Sequence, residues 1–307
     1  MHIRIGTRSS RLALWQAEYI QQLLEGGGVT SELVLIETKG DQILDRSLSK
    51  IGSKGIFTQE LEDQLRSRQI DIAVHSAKDL QSSLAPDLSI IAFTERERVN
   101  DVLVSRDPSL SLTSGHPFVI GTSSTRRVAM LKHYCPHIKV VDMRGNLQTR
   151  LRKLDEGQCD ALLLAYAGVH RMHYDDLIAE FLPIEDFTPA VGQGSVAIEV
   201  ADTLALDKMD VVRKLTNHEP TEACLTAERA FLRRLEGGCS IPVFALATGT
   251  ADAITLTGGL INLDGNDLLR ETFTGPRAQA EHLGNELAEA ILARGGDVIL
   301  QAIRATL

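Results

Sequence analysis

The chain has 307 residues, of which 43% are hydrophobic and 24% charged, and its formal net charge is -9. The length suggests two or three domains, and the apolar content is sufficient for folded cores, which excludes a disordered chain. The negative charge argues against a protein whose main partner is a nucleic acid. We find no apolar run of signal-peptide length and none of the ~20 residues that a membrane helix needs, so we expect a cytoplasmic protein that makes no use of a membrane.

The first 200 residues alternate short apolar runs with amphipathic stretches. In chain order, the patterns predict a strand at Ile3–Ile5, a helix at Leu12–Leu23, a strand at Leu33–Ile36, a helix at Gln59–Arg68, a strand at Ile72–Val74, a strand at Val119–Ile120, a helix at Thr125–Lys132, a strand at Lys139–Val141, a helix at Asn146–Leu154 and a strand at Ala161–Leu164. This alternation is typical of parallel-sheet α/β units.

Two blocks within this region resemble each other. Residues 5–11 resemble 120–126, residues 37–41 resemble 142–146, and residues 71–74 resemble 160–163. A general preference of βα turns for Gly, Ser and Thr could also produce such matches. Because three matches occur in the same order, we favour two similar α/β domains over one long sheet.

The last part of the chain has a different pattern. Pro220–Leu235 is predicted to be a helix that ends at Gly237 and Gly238. Strand-like runs follow at Val243–Thr248 and Ile254–Ile261, then a hairpin turn at Asp264–Gly265 and a last helix at Glu281–Leu292. These elements predict a small α+β domain.

Arginine is concentrated in the first half of the chain. Of the 23 arginines, 15 lie at or before Arg171, and residues 1–171 carry 22 basic and 20 acidic side chains, against 10 and 21 in residues 172–307. An acidic protein with this distribution can still bind an anion in its first half.

The segment Gly121–Arg127 is a candidate anion site. It lies between a predicted strand and a predicted helix, where free backbone N–H groups, the positive end of the helix and the hydroxyls of Thr122, Ser123 and Ser124 converge. Arg126 and Arg127 oppose the helix dipole, a small cost that an anionic ligand would offset. The alternative is that the hydroxyls only cap the helix.

Other basic side chains occupy similar turns. Arg8 and Arg11 lie in the first copy of the turn, and Arg144 and Arg150 begin the helix after the Lys139–Val141 strand. A single arginine on a helix is usually solvated. Several at consecutive βα turns share one edge of a sheet, where ligands bind in open α/β folds.

Three further segments could carry chemistry. Lys78 and Asp79 directly follow an apolar strand. Lys78 could bind an anion and Asp79 could stabilise a developing cation, or the two could form a surface ion pair. Residues 39–57 are rich in Gly, Ser and Lys and are either a lid or an ordinary loop. Cys239 follows two glycines and is either a small core hydrophobe or a reactive thiol.

No metal site is expected. The four cysteines, Cys135, Cys159, Cys224 and Cys239, have spacings that match no zinc or disulfide framework. His133, Cys135 and His137 form a local cluster, but Pro136 marks an irregular segment and no further pair of ligands is evident.

The residues as a whole resemble one family. The matching segments, in order, are Ile5–Gln16, Lys50–Phe57, Asp71–Asp79, Gly121–Arg127, Arg144–Asn146, Pro189–Gly194 and Leu235–Cys239. They are similar to the porphobilinogen deaminase (hydroxymethylbilane synthase) family over nearly the whole chain. Gly-Thr-Ser-Ser-x-Arg-Arg and Leu-Glu-Gly-Gly-Cys are the most specific of these motifs.

The resemblance implies a fold and an activity. The fold is two periplasmic-binding-protein-like (type II) α/β domains, residues 1–95 with 195–216 and residues 96–194, and a small α+β domain, residues 217–307. The implied protein is a monomeric transferase of tetrapyrrole and heme biosynthesis. It condenses four porphobilinogens head to tail with loss of ammonia, on a covalently bound dipyrromethane primer, and releases hydroxymethylbilane by hydrolysis.

The resemblance also implies roles for individual residues. It places the thioether to dipyrromethane at Cys239, the essential aspartate at Asp79 and its neighbour at Lys78. The cofactor-binding residues are Lys78, Asp79, Thr122, Ser123, Ser124, Arg126, Arg127, Arg144, Gly145, Arg150 and Gln193. The substrate-binding residues are Arg8, Ser10, Arg144, Arg150 and Arg171, and the lid residues are Lys50, Lys54 and Phe57.

The chain departs from the family pattern at a few positions. Leu80 and Gln81 stand where the family usually has Val-Pro, Arg11 where Pro is common, and Ala77 where Met is frequent. None of these changes removes a charged group of the implied site. A second hypothesis, a non-enzymatic cytoplasmic binder of small carboxylates on the same scaffold, would explain the arginines but would leave Lys78, Asp79 and Cys239 without a role.

Overall fold

The structure, a computed structural model, describes residues 1–38, 58–238 and 240–306. The strands are β1 His2–Arg8, β2 Thr30–Ile36, β3 Ile72–Ser76, β4 Leu88–Phe93, β5 Asp101–Val104, β6 Val119–Gly121, β7 Lys139–Val141, β8 Ala161–Ala165, β9 Ile178–Phe181, β10 Val196–Ala201, β11 Val243–Gly249, β12 Ala253–Ile261 and β13 Leu268–Pro276. The helices are α1 Arg11–Gly26, α2 Gln59–Arg66, α3 Thr125–Tyr134, α4 Leu147–Asp155, α5 Tyr166–Arg171, α6 Leu206–Thr216, α7 Glu219–Arg234, α8 Ala280–Ile291 and α9 Asp297–Arg304.

The first sheet has the order β2-β1-β3-β10-β4. Its first three strands are parallel, with Ile5 of β1 opposite Leu33 on one side and Ile72 on the other. Strand β10 runs antiparallel to both of its neighbours, and its Val196 lies opposite Ser76. We call this sheet with its helices α1, α2 and α6 the first unit.

The second sheet has the order β7-β6-β8-β5-β9 and repeats this arrangement. Strands β7, β6 and β8 are parallel, and β5 is antiparallel to β8 and β9, with its Asp101 opposite Ala165. This sheet with α3, α4 and α5 is the second unit. The shared order confirms the similarity of the two blocks that the repeated segments predict.

The expectation of parallel sheets is correct for only three strands of each unit. The chain enters the second sheet along β5 and returns to the first along β10, so each of these strands runs against its neighbours. Strands β4, β5, β9 and β10 are absent from the predicted elements. Every residue of β5 and β10 is buried, so neither strand alternates between apolar and polar residues.

The third unit is a three-stranded antiparallel sheet, β11-β12-β13, with α7 and α8 packed on one face. Its core contains the fully buried Phe231, Leu256 and Leu287. The predicted α+β character is confirmed. Strand β13, which the sequence patterns miss, pairs with β12 over its full length from Leu268 to Pro276.

One buried carboxylate joins the third unit to both connections between the sheets. Glu228 of α7 is fully buried and accepts hydrogen bonds from Arg96 in the first connection and from the backbone N–H of Gly192 in the second. It also accepts from the N–H of Ala247 in β11 at 2.8 Å. Removing one partner of such a buried pair usually costs about 3–5 kcal/mol, so Glu228 fixes where the two α/β units meet.

Across the described residues, none of the helices combines the length and the apolar character needed to cross a membrane.

Candidate active site

The carboxyl ends of the central parallel strands carry most of the predicted site residues. Arg8 is the last residue of β1, and Ser10 is the N-cap of α1, where its Oγ accepts from the N–H of Ala13 at 3.4 Å. Lys78 and Asp79 form a single helical turn immediately after β3. In the second unit, Thr122–Ser124 connect β6 to α3, and Arg144–Asn146 connect β7 to α4.

The turn of Lys78 and Asp79 is held against the second connection between the sheets. The N–H of Ala77 donates to the carbonyl of Ser195 at 3.0 Å. Gly192 has a φ of +77°, and a Cβ at this position would lie 2.9 Å from the carbonyl carbon of Ala77 and 3.0 Å from the nitrogen of Lys78. Only glycine allows this approach, so the Val-Gly-Gln-Gly segment supports the turn directly.

Lys78 and Asp79 differ in their exposure. The Asp79 carboxylate is exposed at the surface of the turn, whereas Lys78 is half-buried. Burial, together with the nearby positive charge of Arg127, lowers the pKa of Lys78 to about 8. A carboxylate that approaches this ammonium group would stabilise its charged form.

The hydroxyls of the second-unit turn are engaged in local hydrogen bonds. Ser124 is the N-cap of α3, and its Oγ accepts from the N–H of Arg127. The Oγ of Ser123 accepts from the N–H of Met143 at 3.0 Å, and Thr122 is buried. The capping role is therefore present at Ser124, as at Ser10.

Arg126 and Arg127 are buried side by side on one carboxylate. Their Nη2 atoms lie 2.8 and 2.7 Å from the two oxygens of Asp101, the first residue of β5. Gln193 donates to the same carboxylate at 2.9 Å and to the carbonyl of Val99 at 2.7 Å. Burial alone would raise the pKa of Asp101, but the two guanidinium groups hold it well below its usual range.

This arrangement has more positive than negative charge. Lys78, Arg126 and Arg127 are balanced by Asp79 and Asp101 only in part. Arg150 adds another positive charge: burial, with Arg127 close by, lowers its pKa to about 10, and its Nε donates to the carbonyl of Gly145 at 2.8 Å.

Arg144, in the β7–α4 turn, is paired with a carboxylate at the surface. Arg144 pairs with the exposed Asp142 at 3.0 Å, and its carbonyl accepts a hydrogen bond from Lys153 at 3.1 Å. The pair joins residues two apart in the chain and contributes little to stability at this exposure. Its guanidinium can therefore exchange this partner for a ligand carboxylate.

Arg171 lies in a different setting. It is buried at the end of α5, donates to the carbonyl of Gly194 at 2.7 Å, and its guanidinium carbon is 5.1 Å from the centre of the Trp15 ring. These contacts join the second unit to the connection and to α1. The structure thus brings Lys78, Asp79, Arg126, Arg127 and Arg150 together and places Arg171 at the junction of the units.

Four predicted site residues and three cysteines are not among the site residues described so far. Lys50, Lys54, Phe57 and Cys239 lie outside the described residues. Cys135, Cys159 and Cys224 are buried free thiols, and burial raises the pKa of each. Within the described ranges, no group of three or more His, Cys, Asp and Glu side chains could hold a metal ion.

Two residues of the site were missed by the sequence reasoning. Asp101 begins an apolar strand, Asp-Val-Leu-Val, and an acidic residue in that position is a signal that could have been noticed. Glu228 lies on the buried side of α7 next to Ala227, in a helix that the apolar spacing already oriented. In both cases the sequence indicates that the position is buried but does not show which groups pair with the carboxylate.

The family described as "Porphobilinogen deaminase, dipyromethane cofactor binding domain" matches residues 3–206, and "Porphobilinogen deaminase, C-terminal domain" matches residues 222–293. The chain belongs to the porphobilinogen deaminase family. The expectation drawn from the seven motifs is confirmed.

Relatives of this family match along the whole chain. The porphobilinogen deaminase of Cytophaga hutchinsonii is 57% identical over 302 residues, which cover 98% of this chain and 97% of the relative. That of Desulfosudis oleivorans is 50% identical over 305 residues, covering 99% and 98%. Among solved structures, the periplasmic VFT2 domain of Bordetella pertussis BvgS aligns with a TM-score of 0.43 and 18% identity, covering 70% of this chain and 86% of that domain.

The residues of the porphobilinogen deaminase site fit a group that carries carboxylates. The Nε atoms of Arg126 and Arg127 are buried and have no hydrogen-bond partner among the described residues. Buried donors of this kind are costly unless a ligand satisfies them. Together with the excess of positive charge, they match the acetate and propionate groups of a dipyrromethane.

Proposed function

We propose that this chain is a transferase that condenses four porphobilinogens head to tail, with loss of ammonia, into the linear tetrapyrrole hydroxymethylbilane. The observation that carries this proposal is the turn after β3, where the exposed Asp79 carboxylate stands beside Lys78 and next to the buried arginine pair of the second unit. Membership of the porphobilinogen deaminase family supports it.

Dipyrromethane is the cofactor we propose, attached by a thioether at Cys239 and held by Lys78, Asp79, Gln193 and the residues of the two second-unit turns. Those turn residues are Thr122, Ser123, Ser124, Arg126, Arg127, Arg144, Gly145 and Arg150. When bound, the group supplies a nucleophilic pyrrole carbon and a tether that keeps the product on the protein.

The Asp79 carboxylate is suited to the charge that develops during the reaction. Loss of ammonia from the aminomethyl group of porphobilinogen leaves a cation on the substrate. A fixed carboxylate next to that carbon stabilises the cation and can accept the proton that leaves later. Lys78, half-buried beside it, binds a carboxylate of the same substrate as a point charge.

The arginines are suited to the substrate's acid groups. Each pyrrole unit brings one acetate and one propionate, so a growing chain gains two negative charges per unit. Guanidinium groups remain charged and bind carboxylates with two parallel hydrogen bonds. We assign substrate carboxylates to Arg8, Arg144, Arg150 and the hydroxyl of Ser10, and to Arg171 once its contact with Gly194 is released.

The remaining expectations complete the proposal. We propose three domains, residues 1–95 with 195–216, residues 96–194 and residues 217–307, a division supported by the presence of three separate sheets. Lys50, Lys54 and Phe57 belong to a lid over the site. The protein acts as a monomer in the cytoplasm, and it takes small-molecule substrates rather than nucleic acid or membrane.

The test compares two variants of one residue. Asp79→Asn removes the charge and keeps the shape, and we expect ammonia release to fall by at least about a hundredfold, because the developing cation loses its counter-charge. Asp79→Glu, the matched control, keeps the charge and should retain more activity than Asp79→Asn. Ammonia release by Asp79→Asn within threefold of the unchanged enzyme would refute the role.

Mass spectrometry provides the second measurement. The intact chain should carry the added mass of one dipyrromethane, and peptide mapping should place it on Cys239. A protein that binds porphobilinogen but neither carries this mass nor consumes the substrate is the non-enzymatic carboxylate binder instead.

A further inference from the structure

The turn of Lys78 and Asp79 continues into Gln81, which makes a bridge to another element of the first unit. The Gln81 amide nitrogen Nε2 donates to Thr58 Oγ1 and to Glu62 Oε1, each at 3.2 Å. Thr58 in turn donates to the same oxygen of Glu62 at 2.6 Å. Thr58 and Glu62 are buried at the beginning of α2, so the three side chains form a closed polar cluster between two segments.

The backbone of Gln81 is held from a second direction. Its carbonyl accepts a hydrogen bond from Arg229 of α7 at 2.9 Å. Arg229 is buried, and burial lowers its pKa to about 10, so this hydrogen bond compensates part of a desolvation cost. Gln81 therefore joins the end of the turn both to α2 in the first unit and to the third unit.

The residue between them is also fixed. Leu80 is buried against Ala77, Phe93 and Leu225, and its backbone is extended, with φ -71° and ψ 146°. This conformation is the one that a following proline imposes. A proline at position 81 would also have its own φ fixed by its ring. Glutamine has no such restriction, and in this chain the hydrogen bonds of its side chain hold the segment.

The position of Asp79 depends on this support. Asp79 is the last residue of the helical turn Ala77–Asp79, so a shift of the backbone of this turn would move its carboxylate. A group that must meet a developing charge needs its geometry fixed to a fraction of an ångström. The turn is anchored before Asp79 by the Ala77–Ser195 hydrogen bond and after it by Gln81.

We propose that Gln81 is a positioning residue for the reaction: through Thr58 and Glu62 it fixes the turn, and with it the Asp79 carboxylate, to the first turn of α2. The inference rests on the role proposed above for Asp79. It assigns a function to a side chain that departs from the family pattern, and it predicts that Thr58 acts in the same way.

The experiment is a double-mutant cycle on the enzyme with its cofactor in place. Gln81→Met keeps the length and volume of the side chain and removes the donor of both hydrogen bonds, and Thr58→Val removes the hydroxyl that accepts from Gln81 and donates to Glu62. We expect each variant to lower kcat about tenfold and to leave KM within about twofold, since a displaced Asp79 weakens only the transition state. The double variant should lose no more than about twofold beyond the worse single variant.

Two controls separate positioning from loss of fold. Gln69→Ala removes an exposed glutamine of the same unit and should leave kcat unchanged. The urea midpoint and the cofactor occupancy measured by intact mass report folding, and kcat is expressed per cofactor-bearing chain. Should Gln81→Met fail to fold, Gln81→Asn, which shortens the amide side chain by one methylene, carries the same expectation for kcat and KM.

The outcomes are distinct. A kcat for Gln81→Met within twofold of the unchanged enzyme, or losses that multiply in the double variant, would overturn the proposal. If Asp79→Asn keeps its turnover, the role of Asp79 fails whatever Gln81 does. If Asp79→Asn is inactive and Gln81→Met is normal, only this inference fails.

Discussion

The two five-stranded sheets have the same strand arrangement but different chemistry at one equivalent position. The fourth strand of each sheet arrives from the opposite direction and begins beside the end of a central strand. In the second sheet that strand begins with Asp101, opposite Ala165, and in the first it begins with Val196, opposite Ser76. The carboxylate of Asp101 binds Arg126 and Arg127, and the first sheet has no counterpart of it at that position.

This difference gives the two units different charges at an equivalent position of the same scaffold. A buried carboxylate paired with two guanidinium groups leaves a net charge of +1 in a fixed position, which favours an anionic ligand. In the first unit, where valine takes its place, the turn after β3 carries the exposed carboxylate of Asp79. We propose that one unit holds the acid groups of the substrate and that the other offers the carboxylate used in catalysis.

Of the changes that test the difference between the two sheets, the replacement of Asp101 should have the largest effect. We expect Asp101→Asn to lower the free energy of unfolding by about 3–5 kcal/mol, because Arg126 and Arg127 lose the charge that compensates their burial. Urea unfolding measures this loss. Asp142→Asn is the matched control, since Asp142 pairs with Arg144 at the exposed surface and should change stability by less than about 1 kcal/mol. Equal effects of the two variants would contradict the distinction between the sheets.

The pKa of Lys78 tests the comparison between the two units. Burial lowers this pKa, and so do the positive charges of Arg127 and Arg126 in the second unit, although Lys78 belongs to the first. Its pKa is about 8 in the folded protein, against an ordinary 10.5. Between these values the unfolded chain binds more protons, so the contribution of Lys78 to stability rises with pH from about 8 to 10.5.

Substrate binding should have the opposite dependence on pH. A carboxylate favours the charged ammonium, so kcat/KM should fall as the pH rises through about 8, by up to about tenfold per pH unit. Lys78→Arg keeps its charge over this range and should shift the alkaline limb upward. An alkaline limb that stays in place in Lys78→Arg would show that another group titrates.

The smallest expected effect tests whether the two turns are equivalent. Ser10 and Ser124 cap α1 and α3, with Oγ accepting from the backbone N–H three residues later. Each Ser→Ala change should cost about 1 kcal/mol, and Ser→Gly only a few tenths. Because the caps lie in separate units, the double variant should show the sum in urea unfolding. A cost at Ser124 more than twice that at Ser10 would show that the turns differ in structure as well as in chemistry.

The sequence predicts the parts of this molecule whose pattern is local. Helix α1 and strand β3 follow from apolar spacing, and the cap at Ser124 follows from its place before the Thr125–Lys132 run. Strands β5 and β10 do not, since a fully buried strand lacks alternation. Their antiparallel direction depends on where the chain crosses between the sheets, which no window of a few residues contains.

By itself, the sequence determined which residues stand at the carboxyl ends of the strands and, through seven ordered motifs, the family. Only the tertiary structure decided what those residues do for one another. Arg126 and Arg127 became a buried pair because β5 places Asp101 beside them, although it lies 25 and 26 residues away in the chain. Gln81 is tied to the beginning of α2 because the fold places Thr58 within hydrogen-bond distance of it. A charge can be read from the sequence, but its effect depends on the partner and the burial that the fold provides.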